Sequence, residues 1–431
     1  MEQTLEDLKN GLLKGVKKLK LACNLKEFPQ EIISLSDTLE VLDLSDNQLS
    51  VLPDNIRELK KLKIIFFARN KFTEFPSILS EFPVLNMIGF KSNYIHTVPE
   101  NSFPEKLNWL ILTDNKIEKL PNSIGKCSLL QKFMMAGNLL SELPETMRNC
   151  KNLELFRVSD NNLSSIPDWL FTLPKLSWFA FEGNNLNNNI KVTNELKSFN
   201  WDQFTVNKTL GEGASGVISK AYWNLRKENV ALKIFKGEVT SDGLPEDEMK
   251  IAIKAGNHKN LIPVLGKIKN HPENRNGLIL KLINSSFVNL GNPPSLESCT
   301  RDTFNKDSLF TLEQVLKIIK SIASVCAHLH NIGINHGDLY AHNILIDENI
   351  DCFLGDFGAA SFYNRDLNKK LEFFEVKAFA CLVEDLLSLI KNIKTNTDEI
   401  KKYKELIKQC SCVKIEQRLT FLEIQNKLFS F

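Results

Sequence analysis

The order of apolar and polar positions in residues 16–186 repeats. The stretches LEVLDLSDNQLSVLP, LKIIFFARNKFTEFP, LNMIGFKSNYIHTVP, LNWLILTDNKIEKLP, LQKFMMAGNLLSELP and LELFRVSDNNLSSIP share one pattern. An imperfect copy, VKKLKLACNLKEFP, precedes them, and LSWFAFEGNNLNNN, which lacks the proline, follows. Asn24, Asn47, Asn70, Asn93, Asn115, Asn138, Asn161 and Asn184 recur at steps of 22 or 23 residues. Period-two alternation at the start of each copy predicts a short strand with residues such as Leu42 and Leu44 facing inward. One copy cannot bury its apolar side alone, so the copies must stack into a continuous core. Each Asn is expected to spend its amide on backbone groups of neighbouring coils that no strand satisfies. Pro53, Pro76, Pro99, Pro121, Pro144 and Pro167 are expected to hold the returning segments extended. These residues are read as structural, not catalytic.

The spacing resembles the leucine-rich repeat. That resemblance implies an α/β solenoid, a horseshoe of about eight repeats in residues 1–195, with the charged N-terminal stretch MEQTLEDLKNGLLKGVKKLKL as its cap. This stretch has no apolar core of the signal-peptide kind. Strand positions that alternate with the core leucines are expected on the concave face: Val41, Asp43, Ile64, Phe66, Met87, Trp109, Ile111, Met134, Leu155, Arg157 and Trp178. An apolar stripe of this kind marks a contact surface. Ile64, Phe66, Trp109, Met134 and Trp178 are therefore expected to bind a protein partner or substrate, or, as the alternative, to dock against the second half of this chain as a restraint.

The pattern changes after the polar stretch NNLNNNIKVTNELKSFNW, and a domain boundary is expected near residue 195, with a second domain over 196–431. Gly211, Gly213 and Gly216 spell G-x-G-x-x-G, and strand-like runs, VISKAYW and VALKIF, follow instead of a helix. A glycine-tipped hairpin can lay backbone N–H groups over phosphates. Lys233 in VALK can hold two phosphate oxygens from the neighbouring strand.

These residues resemble the eukaryotic-type protein kinases over residues 204 to about 428. LGEGASGVI resembles the glycine-rich loop and VALK the lysine strand. PEDEMKIAIKAGNHKNLIPVLG resembles helix C and the strand after it, and GLILKLI the strand into the adenine hinge. HGDLYAHNIL resembles the catalytic loop, DFG the metal-binding motif, and EVKAFACLVEDLL and CSCVKIEQRLTFLEI the C-terminal helices, with Arg418 in its usual place. The whole chain resembles bacterial proteins that join leucine-rich repeats to a compact kinase domain. The resemblance implies an α+β bilobal kinase fold that uses ATP and Mg²⁺. Leu210, Gly211, Gly213, Gly216, Ile218, Ala231, Lys233, Lys281 and Ile283 would line the nucleotide. Glu248 would pair with Lys233, with Glu246 and Asp247 as alternatives. Asp356 and Asn343 would hold metal, and Asp338 would accept the proton of the attacking hydroxyl, with Lys233, Asn343 and Asp338 forming the catalytic set.

Five departures from that family complicate the reading. Gly337 stands where the Arg of H-R-D reads a phosphorylated loop, so any activity is expected to be constitutive. Tyr340 stands where serine/threonine kinases carry Lys. His342 stands where tyrosine kinases often carry Arg; it can supply charge if protonated, though a structural role fits it better. Only residues 359–374 separate Gly358 from Glu375, no A-P-E follows, and Glu375 replaces the Asp that anchors the catalytic loop. Phosphotransfer to a Ser/Thr (or Tyr) hydroxyl of a recruited partner is the leading expectation. A nucleotide-binding pseudokinase scaffold is the alternative, and a small-molecule kinase shares the motifs.

Composition narrows the picture modestly. The formal net charge is +2, with 43% hydrophobic and 25% charged residues, which gives no reason to invoke nucleic acid or an anionic membrane. No apolar run approaches the length of a membrane span. The nine scattered cysteines fit a reducing compartment. A cytoplasmic location is expected, with delivery to another cell left open.

Overall fold

The computed structural model describes residues 3–186, 196–391 and 398–430. Contacts divide the chain into two compact units, Met1–Lys175 and Leu176–Phe431. The expected boundary at 195 falls in residues 187–195, outside the described residues. The second unit also takes in 176–186, the last copy of the sequence repeat.

In the first unit, strands β1 (Lys18–Lys20), β2 (Val41–Asp43), β3 (Ile64–Phe66), β4 (Met87–Gly89), β5 (Trp109–Ile111), β6 (Lys132–Met134) and β7 (Leu155–Arg157) pair in parallel and in sequence order. The register aligns Leu42, Ile65, Ile88, Leu110, Phe133 and Phe156, all of them fully buried. The asparagines form the expected ladder. Asn93 donates to the carbonyls of Phe67 (2.9 Å) and Phe90 (3.1 Å) and accepts from the Phe72 N–H (3.1 Å). Asp46, Arg69, Ser92, Asp114 and Asp160, each just before a ladder Asn, hold left-handed φ values from +53° to +61°. The turn thus imposes its backbone whether or not glycine is present.

Two expectations need correction. The prolines do not open extended returns. Pro53 is itself extended (φ −75°, ψ 154°), but it caps a 3₁₀ helix, Asp54–Glu58, and Pro76, Pro121, Pro144 and Pro167 do the same. A fixed φ near −65° suits the residue that precedes a helical turn as well as it suits an extended run. The concave stripe is also less open than expected. Ile64, Phe66 and Trp109 are half-buried, whereas Met87, Met134 and Trp178 are 5%, 9% and 2% exposed. Met134 lies between Ile111 and Arg157 in the strand register, and the Trp109 ring is covered by the Lys132 ammonium 4.0 Å from its centroid.

The N-terminal helix α1 (Leu5–Lys9) starts with a capping box between Thr4 and Asp7. The Gln3 amide donates to Lys18 O and accepts from Lys20 N, both at 2.9 Å, which covers the open edge of β1.

The second unit begins with β8 (Trp178–Ala180). Strands β9 (Ser198–Asn200), β10 (Phe204–Glu212), β11 (Gly216–Trp223), β12 (Glu228–Phe235), β13 (Val264–Lys269) and β14 (Gly277–Lys281) make a sheet in the order β10-β11-β12-β14-β13-β9. Helix α2 (Pro245–Ala255) accompanies it, opened by Pro245 and stopped by Gly256 at φ +65°. A helical lobe follows. Helix α3 (Leu312–Asn331) opens on a Thr311–Gln314 capping box and buries Val315, Ile318, Ile322, Val325 and Leu329 at helical spacing. Short strands β15 (Val288–Asn289), β16 (Ile334–Asn335), β17 (Ile344–Ile346), β18 (Cys352–Leu354) and β19 (Ser361–Phe362) frame the catalytic-loop region. Helices α4 (Arg365–Asn368), α5 (Glu372–Ser388), α6 (Asp398–Cys410) and α7 (Phe421–Ser430) complete the lobe. Among the described residues no helix is long and apolar enough to cross a membrane.

Candidate functional site

Antiparallel pairing of β10, β11 and β12 puts Ile218 opposite both Gly211 and Lys233, and Ala231 opposite Leu280 of β14. The three glycines differ in their reasons. A Cβ on Gly216 would come 2.5 Å from Ile234 O, so the strand backbones demand glycine there. Side chains on Gly211 or Gly213 would meet nothing within 4 Å, so that part of the loop borders open space. Leu210 is exposed, Ala231 buried, Lys281 exposed at the end of β14, and Ile283 half-buried just beyond it.

Lys233 and Glu248 form an ion pair in which both side chains are largely buried. The alternatives for this role are engaged elsewhere: Asp247 binds Lys250 at 2.7 Å and Glu246 accepts from Asn276 at 3.2 Å. Burial pushes the Glu248 carboxyl up, the Lys233 ammonium opposes this, and the charge of Asp356 adds to the rise. Lys233 and Asp356 thus both act on Glu248, which brings the lysine strand, helix α2 and the DFG turn to one place.

The catalytic loop is held from beneath. The His336 ring bonds Gly355 O at 2.9 Å, and its backbone N–H donates to both oxygens of Glu375 at 3.1 and 3.2 Å. Glu375 therefore does reach the loop amide that the shorter family Asp would bind. It also accepts from His330 Nε2 at 2.6 Å, while Glu372 lies 3.7 Å from Nδ1. Burial pulls His330 down, but these two carboxylates outweigh it and lift it to about 9. Arg418 donates to Phe373 O (2.8 Å) and Cys412 O (2.9 Å), tying the C-terminal segment to α5.

Asn343 donates its amide nitrogen to the Asp338 carboxylate (2.7 Å) and to Asp338 O (2.9 Å), which reserves its amide oxygen for an acceptor role. Asp356, exposed and at φ +56°, accepts from Gly358 N at 3.1 Å. These donors fit a hard divalent cation. Among the described residues Glu248 Oε2 is buried without a hydrogen-bond partner, and the charge of Asp356 acts on the same carboxylate. Among the described residues no group of three His, Cys, Asp or Glu is placed to hold an ion, so a cation on Asp356 and Asn343 would draw further ligands from phosphate and water.

The departures find structural places. His342 binds Asp302 through Nδ1 (2.7 Å) and its backbone N–H (3.0 Å). Burial lowers its basicity, yet Asp302, with Asp338 and Asp356 behind it, raises it overall. After DFG the chain forms β19, paired with β16, then the single turn α4 and a 3₁₀ turn, Lys369–Leu371, before α5 begins. Ser361 is fully buried, and Tyr363, 2% exposed, donates to Glu372 at 3.0 Å.

Several residues that the sequence did not assign to this site belong to it. Trp178 stacks on Tyr340 with centroids 4.4 Å apart and planes 7° apart, and its Nε1 donates to Leu339 O at 3.1 Å. Glu182 accepts from Phe362 N at 2.6 Å, and burial pushes its carboxyl up to about 7. Asp302, His330 and Glu372 complete the set. Only the Gly at 337 was a signal, since glycine often marks a close backbone approach.

Comparison with known proteins identifies both parts. Residues 38–59 match the Leucine Rich Repeat family, and residues 204–381 match the Protein kinase domain family. A probable serine/threonine-protein kinase, gdt4, of Dictyostelium discoideum is 30% identical over 179 residues, covering 40% of this chain and 10% of that protein. The L-type lectin-domain containing receptor kinase V.7 of Arabidopsis thaliana is 32% identical over 168 residues, 38% of this chain and 24% of its own length. Among solved structures, the LRR protein LIC12759 of Leptospira interrogans has 25% identity and a TM-score of 0.38, covering 42% of this chain and 47% of that one. The chain thus spans no more than about a quarter of these two kinase relatives.

Proposed function

Because this chain joins leucine-rich repeats to a protein kinase domain, we propose that it is an active protein kinase, transferring the γ-phosphate of ATP to a Ser or Thr hydroxyl of a partner protein. The observation that carries this reading is the formed Lys233–Glu248 pair in the field of Asp356. With Asn343 bound to Asp338, the groups that phosphoryl transfer requires stand ready together. Lys233 holds phosphate oxygens, and the open side of Gly211 and Gly213 admits the nucleotide beneath the hairpin. Mg²⁺ on Asp356 and Asn343 would neutralise the charge that develops on the phosphates. Asp338, oriented by the Asn343 amide, accepts the proton of the acceptor hydroxyl. His342, tied to Asp302, would when protonated add positive charge close to Asp338 and offset part of the lysine missing at Tyr340.

The serine/threonine preference rests on the names of the relatives. The partner surface is assigned to the half-buried strand face of Ile64, Phe66 and Trp109, since Met134 and Trp178 are buried. Buried thiols such as Cys326 and Cys410 suit a reducing compartment such as the cytoplasm.

Autophosphorylation with labelled ATP tests the reading. Wild type should incorporate phosphate, while Lys233→Met and Asp338→Asn should each lose roughly 10²-fold or more, and Asp338→Asn should do so with unchanged melting. Wild-type protein that binds ATP yet transfers nothing would return the scaffold reading.

A further inference from the structure

The segment Trp178–Glu182 belongs to the last copy of the sequence repeat, yet it lies in the second unit and touches catalytic-site elements through Trp178, Phe179, Phe181 and Glu182. Trp178 stacks on Tyr340 and bonds Leu339 O, both in the catalytic loop. Tyr340 in turn stacks on His342 with centroids 5.1 Å apart. Phe179 packs edge-on against Phe374 of α5. The N–H groups of Phe181 and Glu182 both donate to the Ser361 hydroxyl, at 3.0 and 3.1 Å. Glu182 returns a bond to the activation segment by accepting from Phe362 N. Its carboxylate also lies in the field of Asp247 and Lys250, the neighbours of Glu248 on α2.

We propose that Trp178–Glu182 is a built-in brace that holds the catalytic loop and activation segment in the arrangement transfer requires, with Trp178 and Ser361 as its principal positioning residues. The inference rests on the kinase reading above. It accounts for two departures and for the burial of Ser361. Gly337 sits where a Cβ would overlap Ala359 O and approach Phe179 O to 3.0 Å, so the close approach of the brace and the activation segment excludes any side chain, Arg included. Tyr340 replaces a flexible cation with a flat ring that the Trp178 indole can cover. Ser361 presents a fully buried hydroxyl whose lone pairs receive two backbone donors, which suits a permanent tie and not an exchangeable phosphate. The brace supports and does not restrain, because Lys233 is paired with Glu248 and Asn343 with Asp338 while it is seated.

The test uses the full chain. Trp178→Ala, Trp178→Phe, Ser361→Ala and Glu182→Ala are compared with wild type by kcat, KM for ATP, and hydrogen exchange of the Phe362 and Tyr363 amides. Trp178→Ala should lower kcat, taken per folded enzyme from its melting curve, more than tenfold with KM for ATP within about twofold. Trp178→Phe, which keeps a ring on Tyr340, should restore most of the rate. Exchange at Phe362 should quicken in Trp178→Ala, Ser361→Ala and Glu182→Ala. If Trp178→Ala does not fold, Glu182→Ala, which removes one bond, is read in its place. A rise in kcat would make the segment a restraint and overturn the proposal. Unchanged kcat and exchange in all variants would overturn it too. Inactive wild type would sink the kinase reading, while the exchange data would still decide whether the segment braces the loop.

Discussion

Replacing Gly337 with Arg would restore the residue that the resemblance to protein kinases leads one to expect, and it should damage this protein. Gly337 holds φ +71°, in the left-handed region. An ordinary side chain costs about 1 kcal/mol there. The added Cβ would overlap Ala359 O and lie 3.0 Å from Phe179 O. Both obstacles are backbone, one in the activation segment and one in β8, so neither can rotate away. Forcing atoms into such a packed site costs about 2 kcal/mol. The total of about 3 kcal/mol should lower the melting of the second unit by roughly 6–12 °C. Gly337→Ala already carries the Cβ and should show most of the loss; Gly337→Arg adds a long chain in a buried place and should be at least as poor. Thermal unfolding of the full chain, followed by near-ultraviolet circular dichroism, reads the shift, and phosphate incorporation is measured alongside. An Arg variant that melts with wild type and transfers phosphate at least as fast would refute the reasoning.

Two further outcomes test other parts of the structure. Asn93→Ala removes the acceptor of the Phe72 N–H and the donor to Phe67 O and Phe90 O, all buried; urea unfolding should show a loss of about 3 kcal/mol, and a loss under 1 kcal/mol would mean that water replaces the amide. His330 sets a pH window: its pKa is raised from 6.5 to about 9 in the fold, so its stabilising contribution is complete below pH 6.5 and is lost as pH rises through about 9. Glu372 runs the other way: burial pushes it up but His330 and Tyr363 hold it below its usual 4.5, so its contribution is lost as pH falls through that region. Melting temperature should therefore decline between pH 6.5 and 9 in wild type, and the decline should shrink in His330→Gln; identical pH profiles would remove His330 from the account.

The spacing of Asn47, Asn70 and Asn93 determined the parallel ladder on its own, because the asparagine bonds are made to backbone of the neighbouring coils and depend on little else. The order of the glycine loop, VALK, HGDLYAHN and DFG likewise marked out the kinase domain and pointed to Lys233, Asn343, Asp338 and Asp356, whereas the choice of Glu248 over Glu246 and Asp247 as the partner of Lys233 came from the tertiary structure. The return after Pro53 was misjudged, since a proline φ is compatible with both an extended run and the start of a 3₁₀ turn. Alternation said which side of β6 and β8 Met134 and Trp178 occupy, but not whether that side meets water. Exposure is set by what packs on a face, and for Trp178 that is Tyr340, far away along the chain. The same holds for Glu182 and Ser361, whose partners are backbone amides that any sequence would supply. Gly337 lies between the two cases: the sequence displayed the missing side chain, and only the approach of two distant carbonyls showed that there is no room for one.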